Sequence, residues 1–168
     1  MFKLFKNDSS AYAWSKNLEK DAELIRLERL LTEQIKEKFS SSLKLYVVDS
    51  GSCSACELEF QALFSPLYNV SSMGMEVVYD VEKADILLIT GLMSENMYVE
   101  LKEIYKNLKE PKRVMTIGDC PLAQASFLDT FALNSQGINS FSSSYHISGC
   151  PPEPKELLRS FLKYLKSL

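Results

Sequence analysis

At 168 residues, with 46% hydrophobic and 24% charged side chains, the chain has the length and composition of one folded domain. Folding at this length removes roughly 70% of the unfolded chain's surface from water, enough for a real core. A net charge of −3, with no basic stripe interleaved with aromatics, argues against nucleic acid as a partner.

The opening Met1-Phe2-Lys3-Leu4-Phe5-Lys6 turns polar at Asn7 and has neither the apolar segment nor the cleavage site of a secretory signal, so a reducing cytoplasm is expected. From Asn17 to Phe39, Leu18, Leu24, Leu27, Leu31 and Ile35 recur at helical spacing, with Lys and Glu on the opposite face. This predicts an amphipathic helix. The Ser40-Ser41-Ser42 run ends it, dividing the chain into an N-terminal helical extension, 1–42, and a main domain, 43–168.

Short apolar runs then alternate with helical segments. Strands are expected at Leu43 to Asp49, Met75 to Tyr79, Asp85 to Thr90 and Arg113 to Ile117. Helices are expected at Glu57 to Leu67, Glu95 to Leu108 and Glu153 to Leu168, the last with Pro154 in its first turn. The longest apolar run, Ile86-Leu87-Leu88-Ile89 with Gly91-Leu92-Met93 after it, is far short of the ~20 residues that cross a bilayer. Asn134 to Ser148, rich in Ser, Asn and Gly, reads as an irregular surface excursion. Alternating strand and helix predicts a doubly wound α/β fold: a flavodoxin-like parallel sheet with helices on both faces, preceded by the amphipathic helix.

The four cysteines fall in turn-like settings at strand ends. Cys53 and Cys56 follow the first strand, Cys120 follows the last predicted strand, and Cys150 lies in a Gly-Cys-Pro-Pro turn before the final helix. In an open α/β sheet ligands collect outside the carboxyl ends of the strands, so these loops are expected to meet at one rim. Paired disulfides suit small secreted domains better than a chain of this size and compartment. Four thiolates suit zinc or an iron–sulfur cluster. One close pair joined by two distant single cysteines favours the cluster, whose larger body takes ligands from several directions. Zinc and unliganded buried cysteines are the alternatives. Glycines at 51, 118 and 149 would let backbone approach sulfur closely.

These residues resemble the small, cluster-bearing subunit of group 4 nickel–iron hydrogenases, homologous to the 20 kDa subunit of respiratory complex I. The likeness runs from about Leu43 to Leu165. It rests on Gly51-Ser52-Cys53-Ser54-Ala55-Cys56-Glu57-Leu58-Glu59, on Ala84-Asp85-Ile86-Leu87-Leu88-Ile89-Thr90-Gly91, on Gly118-Asp119-Cys120, and on Gly149-Cys150-Pro151-Pro152-Glu153-Pro154. The two-residue gap between Cys53 and Cys56, and Asp119 before Cys120, match the hydrogenase branch; complex I proteins have adjacent cysteines in the first motif. The resemblance implies that Cys53, Cys56, Cys120 and Cys150 ligate one 4Fe-4S cluster, which passes electrons to or from a catalytic large subunit. It further implies a ferredoxin-like iron–sulfur subunit as neighbour, membrane-embedded subunits, and a peripheral place on the cytoplasmic face of the inner membrane. A complex I-like subunit passing electrons to quinone is the alternative within the superfamily, and a structural zinc-binding interaction module the alternative outside it. Gln124 and Ala125 stand where the family commonly has a glycine pair.

Glu59 occupies the position of a family carboxylate and is a candidate proton relay; its ordinary reading is a solvated or salt-bridged residue in the first helical turn. Glu57 ranks below it. His146, the lone histidine, is read as a structural loop residue or as a hydrogen-bond donor to sulfur. Asp119 is expected to cap the turn after Cys120. Phe127, Phe131 and Phe141 read as packing in a core or subunit interface. The amphipathic helix is expected to dock on a neighbouring protein, a membrane-embedded or hydrogenase-like large subunit, because its many acidic residues disfavour anionic lipid.

Overall fold

A computed structural model describes residues 20–122, 130–134, 137–141 and 144–168. The amphipathic helix forms as α1, Ala22–Phe39. Its N-cap is Asp21, whose carboxylate accepts from Leu24 N at 2.8 Å, satisfying one of the free amides of the first turn. The start expected at Asn17 lies outside the described residues.

Five strands follow: β1 (Leu43–Asp49), β2 (Met75–Val77), β3 (Ile86–Thr90), β4 (Val114–Ile117) and β5 (Ser144–Ile147). They form one sheet in the order β2-β1-β3-β4-β5, and every neighbouring pair is parallel. Among the described residues, the helices α2 (Ala55–Ala62), α3 (Glu95–Asn107) and α4 (Pro154–Ser167) complete the layers. The expected doubly wound sheet is the one the chain forms.

Side chains alternate across each strand, and the two faces build two cores. On one face Leu43, Leu45, Ile86, Leu88, Met115 and Ile117 pack with α1, α2 and α4; on the other Val48, Leu87, Ile89 and Val114 pack with Tyr98 and Leu101 of α3. Central β3 is buried along its whole length, which explains why its sequence reads as an uninterrupted apolar run rather than as alternation.

Three expectations are corrected. The stretch Asn134 to Ser148 is not an irregular excursion throughout: Ser144–Ile147 is β5, paired with β4 from Val114↔Ser144 to Ile117↔Ile147, and Ile138 and Phe141 are buried in the α3-side core. Its polar residues sit at the sheet edge, where half-exposed Tyr145 and His146 hide the apolar signature that marks interior strands. The helix after the first cysteine pair begins at Ala55 and ends at Ala62, because Leu63, Phe64 and Ser65 tighten into i→i−3 turns ahead of Pro66. This places Cys56 inside the first helical turn. Finally, the apolar stripe of α1 meets its own chain rather than a neighbouring protein: Leu24, Leu27, Leu31 and Ile35 share a core with Leu157, Leu158, Phe161 and Leu165 of α4. The amphipathic face of α4 supplied the intramolecular partner, and Lys155–Asp21 and Arg159–Glu23 ion pairs flank the seam.

Candidate metal centre

Each cysteine-bearing loop leaves the carboxyl end of a strand. After β1, Asp49 Oδ1 accepts from Gly51 N (2.8 Å) and Ser52 N (2.7 Å), and Ser52 Oγ accepts from Ser54 N (2.9 Å). These short-range bonds fold the chain around Cys53 and deliver Ser54, with a left-handed φ of 66°, into the start of α2. Cys53 is exposed and Cys56 is buried. After β4, Gly118 turns the chain with φ +86° into Asp119 and Cys120; a Cβ on Gly118 would lie 2.4 Å from Cys56 Sγ. Only glycine fits there, and the contact brings the Cys120 loop against the Cys56 thiol. After β5, Ser148 and Gly149 lead to Cys150, which is exposed. All four cysteines therefore gather on one rim.

Their electrostatics report the same proximity. Burial pushes the Cys56 thiol up to about 11, with Glu57 and then Cys120, Cys53 and Cys150 adding to the rise. Cys120 is raised too, by burial first and then by Cys150, Cys53 and Asp119. Crowded, partly desolvated thiols resist ionisation one by one; shared positive charge is what allows them to become thiolates together. Among the described residues no three His, Cys, Asp or Glu side chains converge closely enough to hold a single metal ion.

The family model for the NADH ubiquinone oxidoreductase 20 kDa subunit matches residues 53–164, from the first of these cysteines to the last helix. The chain belongs to this family. A probable membrane-bound hydrogenase subunit, mbhJ, of Pyrococcus furiosus is 30% identical over 148 residues, covering 88% of both chains. Formate hydrogenlyase subunit 7 of Escherichia coli is 31% identical over 125 residues, 74% of this chain and 49% of that protein. Among solved structures, a chain of the membrane-bound sulfane sulfur reductase, an archaeal respiratory membrane complex, superposes with a TM-score of 0.64 at 22% identity, over 82% of this chain and 73% of that one. This likeness shows the shared fold.

Within this 20 kDa-subunit fold the remaining candidates separate by position. Glu57 and Glu59 sit on different sides of α2. Glu57 turns to the sheet, where Thr90 Oγ1 donates to its Oε1 while its Oε2 is buried without a hydrogen-bond partner among the described residues. Its adjacency to Cys56 at the start of a helix was the only signal in the sequence for this burial. Glu59 is half-exposed, one turn beyond Cys56 on the same side of the helix. His146 lies on β5 rather than in a loop: its Nδ1 is 2.9 Å from Thr116 Oγ1 and its Nε2 is 3.7 Å from Asp119 Oδ1. Burial lowers its pKa, with Asp119 opposing, so the ring is mainly neutral at pH 7. The Asp119 carboxylate accepts from Gly149 N at 2.8 Å, and among the described residues it caps no turn of its own. Phe141 packs edge-on against Tyr98 and Tyr105, whereas Phe131 is 98% exposed; Phe127, Gln124 and Ala125 lie outside the described residues.

The rim is also apolar on its outside. Leu58, Tyr79, Leu122 and Phe131 are large exposed hydrophobic residues on segments that follow strand carboxyl ends. Between α2 and β1–β2 lies an open cleft of about 290 Å³ walled by Val47, Phe60, Phe64, Val77 and Tyr79, with Glu57 in its lining. Asp85, by contrast, belongs to the opposite end of the sheet. Its carboxylate accepts from Lys44 N at 2.8 Å and pairs with Lys109 at 2.5 Å, a structural role for a residue in one of the runs that carry the resemblance.

Proposed function

We propose that the chain is the electron-transfer subunit of a membrane-bound hydrogenase-type complex, holding one 4Fe-4S cluster on Cys53, Cys56, Cys120 and Cys150. The observation that carries this reading is the gathering of four thiols from three sequence-distant loops at one carboxyl rim, each within electrostatic reach of others. The donor set fits the group: all four residues are free cysteines, and Gly118 leaves space beside Cys56 Sγ that a Cβ would fill. One close pair joined by two single cysteines from separate loops suits a body that takes ligands from several directions better than a single zinc ion. When bound, the cluster would supply one-electron redox chemistry. The protein's part is to deliver four thiolates in fixed positions, to approach them with glycine backbone, and to keep Cys56 out of bulk water.

The exposed apolar residues around the rim support docking of a hydrogenase-like large subunit over the site, so that electrons cross a short, dry interface. A ferredoxin-like iron–sulfur subunit would exchange electrons with it, and membrane-embedded subunits would anchor the assembly at the cytoplasmic face of the inner membrane. The relative named as a membrane-bound hydrogenase subunit supports that setting; among the described residues no helix is long and apolar enough to cross a membrane. Glu59 is assigned to proton movement beside the site.

Anaerobic purification with iron, sulfide and zinc analysis tests the reading. About four iron and four sulfide per chain are expected, with a reducible paramagnetic signal that Cys→Ala at 53, 56, 120 or 150 removes. A colourless protein with one zinc per chain overturns it. Glu59→Gln should flatten the pH dependence of the midpoint potential; an unchanged slope removes Glu59 from the proton path.

A further inference from the structure

The two loops that each carry a single cysteine are tied to one another at the positions just before the thiols. Beyond the last rung of the β4–β5 ladder, Gly118 N donates to Ile147 O at 2.9 Å and Asp119 N donates to Gly149 O at 2.9 Å. The return bond comes from a side chain: Gly149 N donates to Asp119 Oδ1 at 2.8 Å. The carbonyl of Asp119 is occupied elsewhere, accepting from Leu122 N at 3.1 Å in the turn that carries Cys120. Residues 119 and 149 thus hold each other by two hydrogen bonds, and the next residue of each loop is a cysteine. Both glycines run against close neighbours: a Cβ on Gly149 (φ +135°) would stand 2.6 Å from Pro152 Cα, and one on Gly118 would stand 2.4 Å from Cys56 Sγ.

We infer that Asp119 is a positioning residue: its carboxylate oxygen continues the sheet pairing after β4 has turned away, and so fixes the spacing of Cys120 and Cys150. The inference rests on the cluster reading above. A strand pair normally frays where its backbone partners run out. Here an acceptor on a side chain extends the register by one step, to the residue adjoining each thiol. Of the neighbouring groups, His146 also faces Asp119 Oδ1, at 3.7 Å from Nε2, beyond hydrogen-bond length.

Two substitutions separate the hydrogen bond from the charge. Asp119→Asn and Asp119→Ala both remove the negative charge, but only Asp119→Asn keeps an acceptor for Gly149 N. Three readouts apply to the full chain: iron release to a chelator, the line shape of the reduced cluster in electron paramagnetic resonance, and hydrogen exchange at the Gly149 amide. Asp119→Ala should release iron roughly tenfold faster, broaden the signal and speed Gly149 exchange, whereas Asp119→Asn should stay within about twofold of the parent. Equal impairment of both variants, or faster Gly149 exchange in Asp119→Ala with iron release and spectrum unchanged, overturns the inference. If the parent chain itself binds no cluster, the cluster reading fails. Gly149 exchange in the metal-free chain still reports whether the carboxylate clamps the two loops, so the two failures are distinguishable.

Discussion

Replacing Gly118 by alanine is the sharpest perturbation of the site that leaves all four thiols in place. The new Cβ would stand 2.4 Å from Cys56 Sγ, 1.0 Å inside the 3.4 Å at which ordinary contact begins. A φ of +86° adds ~1–2 kcal/mol for any residue bearing a Cβ, and forcing a buried neighbour aside adds ~1–3 kcal/mol. The total is about 2–5 kcal/mol. At ~2–4 °C per kcal/mol for a chain of this size, melting should fall by at least about 4 °C. The displaced sulfur should also lower the iron and sulfide content. Gly137→Ala is the matched control: its φ is +49°, but no described atom lies within 4 Å of the position a Cβ would take, so it should show the backbone cost alone and full iron content. Circular-dichroism melts and metal analysis on the two variants side by side decide the matter. A Gly118→Ala protein that melts and binds iron like Gly137→Ala would refute the close approach of the Cys120 loop to Cys56.

Other expectations probe the frame around the site. Leu31, wholly buried between α1 and α4, should cost about 2–5 kcal/mol when cut to alanine, read by urea denaturation. Arg159→Ala in the same seam removes only surface pairs with Glu23 and Glu156 and should cost less than about 1 kcal/mol. Lys155 holds the Asp21 carboxyl below its usual 3.8, so their pairing stabilises the fold at pH values above that figure and is lost as pH falls through the lowered value. Lys155→Met should therefore lower the melting temperature at pH 6, and the difference from the parent should vanish in strong acid; a difference that persists there would show that packing rather than charge is responsible. Asp85→Ala strands Lys44 N and Lys109 at the far end of the sheet and should cost about 1–3 kcal/mol while leaving the iron content and spectrum of the folded protein unchanged.

Legibility in the sequence followed the physics of burial. β3 is buried on both faces and announces itself as Ile86-Leu87-Leu88-Ile89, and α1 and α4 each show a clean apolar stripe because one face meets core and the other meets water. β5 did not announce itself. An edge strand pairs on one side only, so part-exposed His146 sits in it without the cost it would carry inside, and nothing in Ser-Tyr-His-Ile demands a sheet. Missing β5 also hid the reason why Cys150 belongs to the rim: it follows the last strand of the sheet, as Cys53 and Cys120 follow β1 and β4. The thiols were readable because strand ends are readable. The devices that hold them were not, for each depends on residues far apart in sequence: Asp119 on Gly149 N, Gly118 on Cys56 Sγ, Thr90 on Glu57.

The same asymmetry bears on which residues carry function. Asp85 and Asp119 both stand in runs that carry the resemblance, yet one ties strands together at the amino end of the sheet and the other joins two thiol loops at the carboxyl end. Because helices leave from the carboxyl ends, that rim is where loops from β1, β4 and β5 meet, and where Leu58, Tyr79, Leu122 and Phe131 remain uncovered. Thiols and uncovered apolar side chains on the same rim suit docking of the proposed partner subunit over the site, although Ile25, Val99 and Leu168 are exposed elsewhere on the surface. Charged residues placed at Tyr79 and Phe131 should therefore weaken association with a hydrogenase-like large subunit by an order of magnitude or more while leaving the melting temperature within about 2 °C of the parent, since both side chains are over 90% exposed. Undiminished co-purification of the partner with the doubly charged variant would place the docking surface elsewhere.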